Sequence, residues 1–131
     1  MSTQPEEQIW ISENTPFVSP RMRGQDAGEF VLKDCVLDTG CALDMIISPS
    51  LAESIAGADN FYSSDIALAN GNLVPAKWFR GQVHWLGLER SVAITIMDPC
   101  PAPLLGLPLL KNTLVSLGDK SGRVRPLSGT A

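Results

Sequence analysis

Residues 36–48 read VLDTGCALDMIIS, two apolar runs of which the first ends in an aspartate followed at once by Thr39 and Gly40. The flanking runs, EFVLKDCVLD at 29–38 and DMIIS at 44–48, have the β-branched and aromatic composition of buried strands. A carboxylate at the end of such a strand is expensive to bury without partners, so Asp38 needs a reason to be there. The residues alone leave two readings. In one, Asp38 accepts hydrogen bonds from its own backbone in a turn, a common task at strand ends. In the other it is a catalytic acid.

Outward from this stretch the chain continues as short strands with turn punctuation. On the N-terminal side FVSPRMR (17–23) and the turn GQDAG (24–28) precede it. On the C-terminal side SPSLAESIAG (48–57) predicts the one short helix, of about two turns. Ser48 can cap it, Pro49 suits a first helical position, Ser50 and Glu53 have capping-box spacing, and Gly57 suits a C′ glycine. Beyond it Asn70-Gly71 between DIALA and LVPAKWF predicts a hairpin, and VHWLG with SVAITIM predicts a second. PCPAP sets a loop before the short buried run LLG, and TLVSL with GRVRPL predicts a last hairpin. No internal repeat is visible. Many short strands with one helix make the fold all-β, a barrel or sandwich.

The bulk properties narrow the function. A chain of 131 residues suits one domain. It divides into a polar arm at 1–19, a domain at 20–127 and a tail at 128–131. The arm contains QIWIS (8–12), too apolar for a linker, and is expected to dock, with Trp10 a candidate for a dimer interface. Net charge −4, with Lys and Arg scattered, predicts no nucleic-acid partner. No apolar run approaches a membrane span, and MSTQPEEQ lacks the features of a secretory leader, so the expected compartment is cytoplasmic, with no membrane partner. Three cysteines without a CxxC pair signal neither a disulfide framework nor a zinc site, and no metal or cofactor is expected. His84, the only histidine, sits in an alternating segment without a nucleophile-elbow sequence, which argues against Ser-His or Cys-His catalysis.

If Asp38 is catalytic, chemistry sets a condition. Hydrolysing an amide with carboxylates alone requires one to take a proton from water while another gives one to the carbonyl. The sequence holds no second Asp-Thr-Gly or Asp-Ser-Gly, and Asp44 is poorly placed as a symmetric mate. A two-fold homodimer would supply the missing acid by bringing Asp38 of each copy to the axis.

VLDTGCALDMIISPSLAESI resembles the active-site segment of the retropepsin-like aspartic proteases, PLLGLPLLKNTLVSL resembles their second signature, and LANGNLVPAKWFRGQVHWLG has the place and length of their flap. The three together cover residues 20 to 125, and the nearest similarity is to small bacterial members and to the protease domain of the eukaryotic DNA-damage-inducible ubiquitin-shuttle protein. The resemblance implies a retropepsin-like acid-protease barrel, one lobe per chain, completed by a homodimer and acting as an endopeptidase on extended peptide or unfolded protein. It implies that Asp38 holds the nucleophilic water with its twin, that Thr39 bonds across the axis, and that Gly40 lets backbone approach the carboxylate. Leu105 and Gly106 would support the loop from beneath. Ala69, Asn70, Gly71 and Asn72 would form the flap tip, and Ala42 would lie on the substrate side. Three positions depart from the pattern: Cys41 replaces the usual Ala, Ala42 stands where retroviral enzymes often carry an Asp, and Pro108 replaces a common acidic residue. A second reading keeps this fold as a dimerisation or peptide-binding module with weak or absent cleavage, and a third is an unrelated β-barrel binding protein.

Overall fold

The computed structural model describes residues 4–24, 28–56 and 61–127. The centre of the 24–28 turn, the proposed C′ glycine Gly57 and the tail at 128–131 lie outside the described residues. Twelve strands form a single sheet: β1 (Glu7–Ser12), β2 (Thr15–Val18), β3 (Arg21–Arg23), β4 (Glu29–Val31), β5 (Cys35–Asp38), β6 (Met45–Ile47), β7 (Tyr62–Ala67), β8 (Leu73–Trp85), β9 (Leu88–Ile96), β10 (Leu104–Gly106), β11 (Thr113–Leu117) and β12 (Ser121–Pro126). Helices α1 (Pro49–Ala56) and α2 (Leu107–Leu110) interrupt them. The spatial order is β11-β12-β1-β2-β5-β10-β6-β9-β8-β3-β4, with β7 pairing β8. Because β2 and β3 are adjacent in the chain but far apart in that order, the sheet curls back on itself as a half-barrel.

A paired corner makes the curl. FVSPRMR and EFVLKDCVLD, each read from sequence as one strand, are each two. The first breaks at Ser19-Pro20, since proline donates no ladder hydrogen bond. The second breaks at Lys33-Asp34, where Asp34 adopts φ 58°. The breaks face each other: Leu32 N donates to the Pro20 carbonyl at 2.9 Å and Asp34 N to Ser19 Oγ at 3.2 Å. Both strands therefore bend together, sending β2 and β5 toward β10 while β3 and β4 run to β8.

Residues 7–12 and 15–18, expected as part of a polar arm, are strands of this same sheet. β1 pairs with β12 and β2, and its Ile9 is buried in the core. The hairpin between them turns through Glu13 and Asn14, both at positive φ, as does the β8–β9 hairpin through Leu86 and Gly87. These two-residue turns match the right-handed twist of their strands. Trp85, Phe79, Val83, Ile94 and Met45 fill the core beneath.

Helix α1 is capped by Ser48, whose Oγ accepts from Leu51 N at 3.3 Å. The Ser50/Glu53 capping box does not form, because with Pro49 as first helical residue the cap falls on Ser48; Ser50 Oγ instead lies 3.3 Å from Ser48 Oγ. α2 adds a second, single-turn helix to the one expected from sequence spacing. Its Pro108 sits in the first turn, where a missing N–H costs nothing. No helix among the described residues is long and apolar enough to cross a membrane.

Candidate functional site

The parallel pairing of β5 with β10 sets Leu37 opposite Leu105 and Asp38 opposite Gly106. Asp38 thus ends a strand supported on both sides by backbone ladders, and its side chain is half-buried. The chain then turns: Gly40 N donates to Asp38 Oδ1 at 2.9 Å, and Cys41 N to the Asp38 carbonyl at 3.1 Å. The acid does accept the turn hydrogen bond of the structural reading, and this same bond fixes the orientation of its carboxylate. A Cβ on Gly40 would stand 3.3 Å from Oδ1, closer than most such contacts, so a glycine suits the close approach.

The loop after Asp38 is pinned from beneath. Leu107 N donates to the Cys41 carbonyl at 2.8 Å, and Gly106 N to the Asp44 carbonyl at 2.8 Å. Gly106 is where the loop and β10 come closest, since a Cβ there would collide with the Leu43 carbonyl. Leu105 is buried beside it. Thr39, Gly40 and Ala42 face outward and are exposed.

A cleft of about 540 Å³ opens beside the acid, walled by Val36, Ile46 and Leu104 on the sheet and by the 97–102 segment opposite. Its lining is apolar apart from Asp38 and two thiols, Cys41 and Cys100. Burial pushes the Cys41 thiol up; its hydrogen bond to the Leu43 carbonyl at 3.6 Å opposes this, and the carboxylates of Asp38 and Asp44 reinforce it. Burial raises Cys100 too, against its hydrogen bond to the Ala102 carbonyl at 3.1 Å. A second cavity of about 670 Å³ runs along β8 from Val74 to Lys77 and shares Met97 and Pro99 with the first. The two thus have the 97–99 segment as a common wall, one on the side of the β7–β8 hairpin and the other at Asp38.

That hairpin ends in Ala69, Asn70 and Gly71, all exposed. Gly71 N donates to the Leu68 carbonyl at 2.9 Å, Leu68 N to the Asn72 carbonyl at 2.8 Å and Asn72 N to Asn70 Oδ1 at 3.0 Å. Gly71 takes φ 86°, the conformation that closes a three-residue hairpin loop and that glycine adopts without penalty. Asp38, Cys41 and Ala42 therefore belong to one loop with Leu105 and Gly106 beneath it, while residues 69–72 occupy a separate hairpin tip.

Sequence reasoning missed Cys100 and its flanking prolines as a cleft wall, reading PCPAP only as a loop. It also passed over Asp44, whose Oδ2 accepts from Ala93 N at 2.9 Å. An acidic residue leading into an apolar strand was the available signal for the second. Among the described residues no cluster of three or more His, Cys, Asp or Glu side chains could hold a metal ion.

No family model matches this sequence, and no curated protein matches it. Among solved structures, a retropepsin-like aspartic protease from Rickettsia conorii superposes with a TM-score of 0.65 over 95% of this chain and 93% of that one, at 16% sequence identity. The similarity is one of fold.

Proposed function

We propose that this chain is an aspartic-type endopeptidase whose active site forms between two copies, Asp38 of each contributing one carboxylate. The observation that carries this reading is Asp38 itself: half-buried, oriented by the Gly40 N–H at 2.9 Å, and set at an apolar cleft in a fold shared with a retropepsin-like aspartic protease. One such acid cannot act alone, and the sequence holds no second Asp-Thr-Gly or Asp-Ser-Gly to supply its mate.

In the paired site two carboxylates about 3 Å apart share one proton, because like charges at that distance cannot both ionise cheaply. The ionised member takes a proton from a bound water while the protonated member gives its proton to the scissile carbonyl oxygen. The resulting diol collapses as a proton passes to the leaving amine. Thr39, exposed in the single chain, bonds across the two-fold axis. The substrate lies extended in the groove between the β7–β8 hairpin and the floor, and the 69–72 tip closes over it to exclude water. Two features support a second copy: β11 is an edge strand of the sheet, and its Leu114, Val115 and Leu117 are exposed. An uncovered apolar edge of this kind is a ready pairing surface.

The test compares purified wild type with Asp38→Asn on an unfolded protein substrate between pH 4 and 7, with light scattering on both. The expected result is a dimer in each case and cleavage only in the wild type. Equal cleavage by the variant, or a monomer that cleaves, refutes the mechanism. A wild-type dimer inert across the whole range replaces it with the peptide-binding module.

A further inference from the structure

Asp44 stands where the parallel pairing of β6 with β9 runs out. That ladder begins at Met45 opposite Ile94, so Ala93, one residue earlier on β9, has no β6 residue to receive its N–H. The Asp44 carboxylate takes that N–H, at 2.9 Å. The backbone carbonyl of the same residue takes the Gly106 N–H, at 2.8 Å, from the other neighbouring strand. One residue thus ties the end of the Asp38 loop to β9 through its side chain and to β10 through its main chain. An N–H left unpaired in a partly buried strand is costly, and the Asp44 carboxylate supplies the acceptor.

We infer that Asp44 is a positioning residue of the Asp38 site, its two hydrogen bonds fixing the loop that carries the acid. The inference rests on the proposed two-carboxylate chemistry. Cys41, within the same loop, experiences both Asp38 and Asp44 as negative neighbours. The other titratable groups near the loop lie on the neighbouring strands. Arg80, opposite Ala93 on β8, is engaged with Ser91 Oγ at 3.4 Å and with the Trp78 ring. β9 adds Glu89 and Arg90 toward its start, β5 adds the buried Cys35, and β6, β10 and α2 carry no titratable side chain.

Two substitutions separate the hydrogen bond from the charge. Asp44→Ala removes both; Asp44→Asn keeps an acceptor for Ala93 and removes the charge. The expected result for Asp44→Ala is a fall in kcat on the order of tenfold to hundredfold with KM little changed, as for a misplaced reacting group. Asp44→Asn should recover most of kcat. Amide hydrogen exchange gives a readout independent of cleavage: Gly40, Cys41 and Ala93 should exchange faster in Asp44→Ala than in the wild type and Asp44→Asn. If wild-type protein proves inert, that exchange pattern still decides the positioning role, whereas the protease reading alone fails. Wild-type kcat in Asp44→Ala, or unchanged exchange at all three amides, overturns the inference; should Asp44→Ala not fold, Asp44→Glu, which displaces the carboxylate by one methylene, is read by the same two measurements.

Discussion

The indole Nε1 of Trp85 donates a 2.8 Å hydrogen bond to the backbone carbonyl of Leu109, joining the end of the longest strand to the short helix that follows the Asp38 loop's support. Both residues are buried. Trp85→Phe leaves that carbonyl without its donor and the site short of volume. The expected cost is about 1–3 kcal/mol, read as a fall in Tm of roughly 4 °C per kcal/mol for a chain of this size. An unchanged melting curve would mean that α2 is held by other contacts.

Gly106→Ala should be the most damaging small substitution near the site. The added methyl meets the carbonyls of Leu43 and Cys41, which are backbone and cannot swing aside. Overpacking of this kind costs about 1–3 kcal/mol or more, and relief requires moving the loop that carries Asp38. Cleavage should therefore be lost even at temperatures where circular dichroism shows the variant folded.

Gly71→Ala tests the hairpin tip by a different route. Nothing lies within 4 Å of the new Cβ, so the penalty is conformational, about 1–2 kcal/mol for an L-residue in the left-handed region. It falls on an exposed turn remote from the core. The Tm should fall by roughly 4–8 °C while KM and kcat change together, as expected when a closing element is perturbed.

Glu7 gives a stability prediction with a defined sign. Its Oε2 accepts from Leu86 N at 3.0 Å in the positive-φ turn. Burial raises its carboxyl above 4.5, opposed by that hydrogen bond and by the charges of His84 and Arg21. Between the unfolded and the raised folded value the native state holds more protons than the unfolded state, so this residue's contribution makes stability fall as pH rises through that window. Glu7→Gln keeps an acceptor for Leu86 without ionising. Its Tm relative to wild type should be higher at pH 7 than at pH 4.

The thiols should sort by position. Cys35 is buried and pushed up to about 12, so maleimide should not label it before unfolding. Cys41 and Cys100 line the cleft and should label, slowly because their thiols are also raised, and faster as pH increases. An adduct on either occupies the cleft beside Asp38, so labelling and loss of cleavage should run in parallel. Peptide mapping by mass spectrometry checks the order.

The parts of this molecule that were legible in sequence are those whose cause is local. Asn70-Gly71 needs only a positive φ and an Asx acceptor, Ser48-Pro49 only a helix start, and Asp38-Thr39-Gly40 only a sharp turn after a strand. The breaks at Ser19-Pro20 and Lys33-Asp34 were harder, because EFVLKDCVLD favours extended backbone along its whole length and is divided only by having different partners at its two ends. For a related reason the acid at Asp44 was legible but its partner was not. Its role is to meet an N–H of Ala93, and nothing near residue 44 in the chain reveals that β9 arrives there unpaired.

The register that sets Asp38 opposite Gly106 also has a consequence in time. The strand that holds the acid from one side lies on a segment separated from it by the helix, the long hairpins and the proline-rich loop. Such a long-range closure carries its entropic cost before any contact rewards it. During synthesis the first forty residues can emerge with every group of the Asp-Thr-Gly turn present, yet the turn has no β10 to lie against and no Gly106 N–H to fasten it. The carboxylate becomes a located chemical group only once nearly the whole domain has been made.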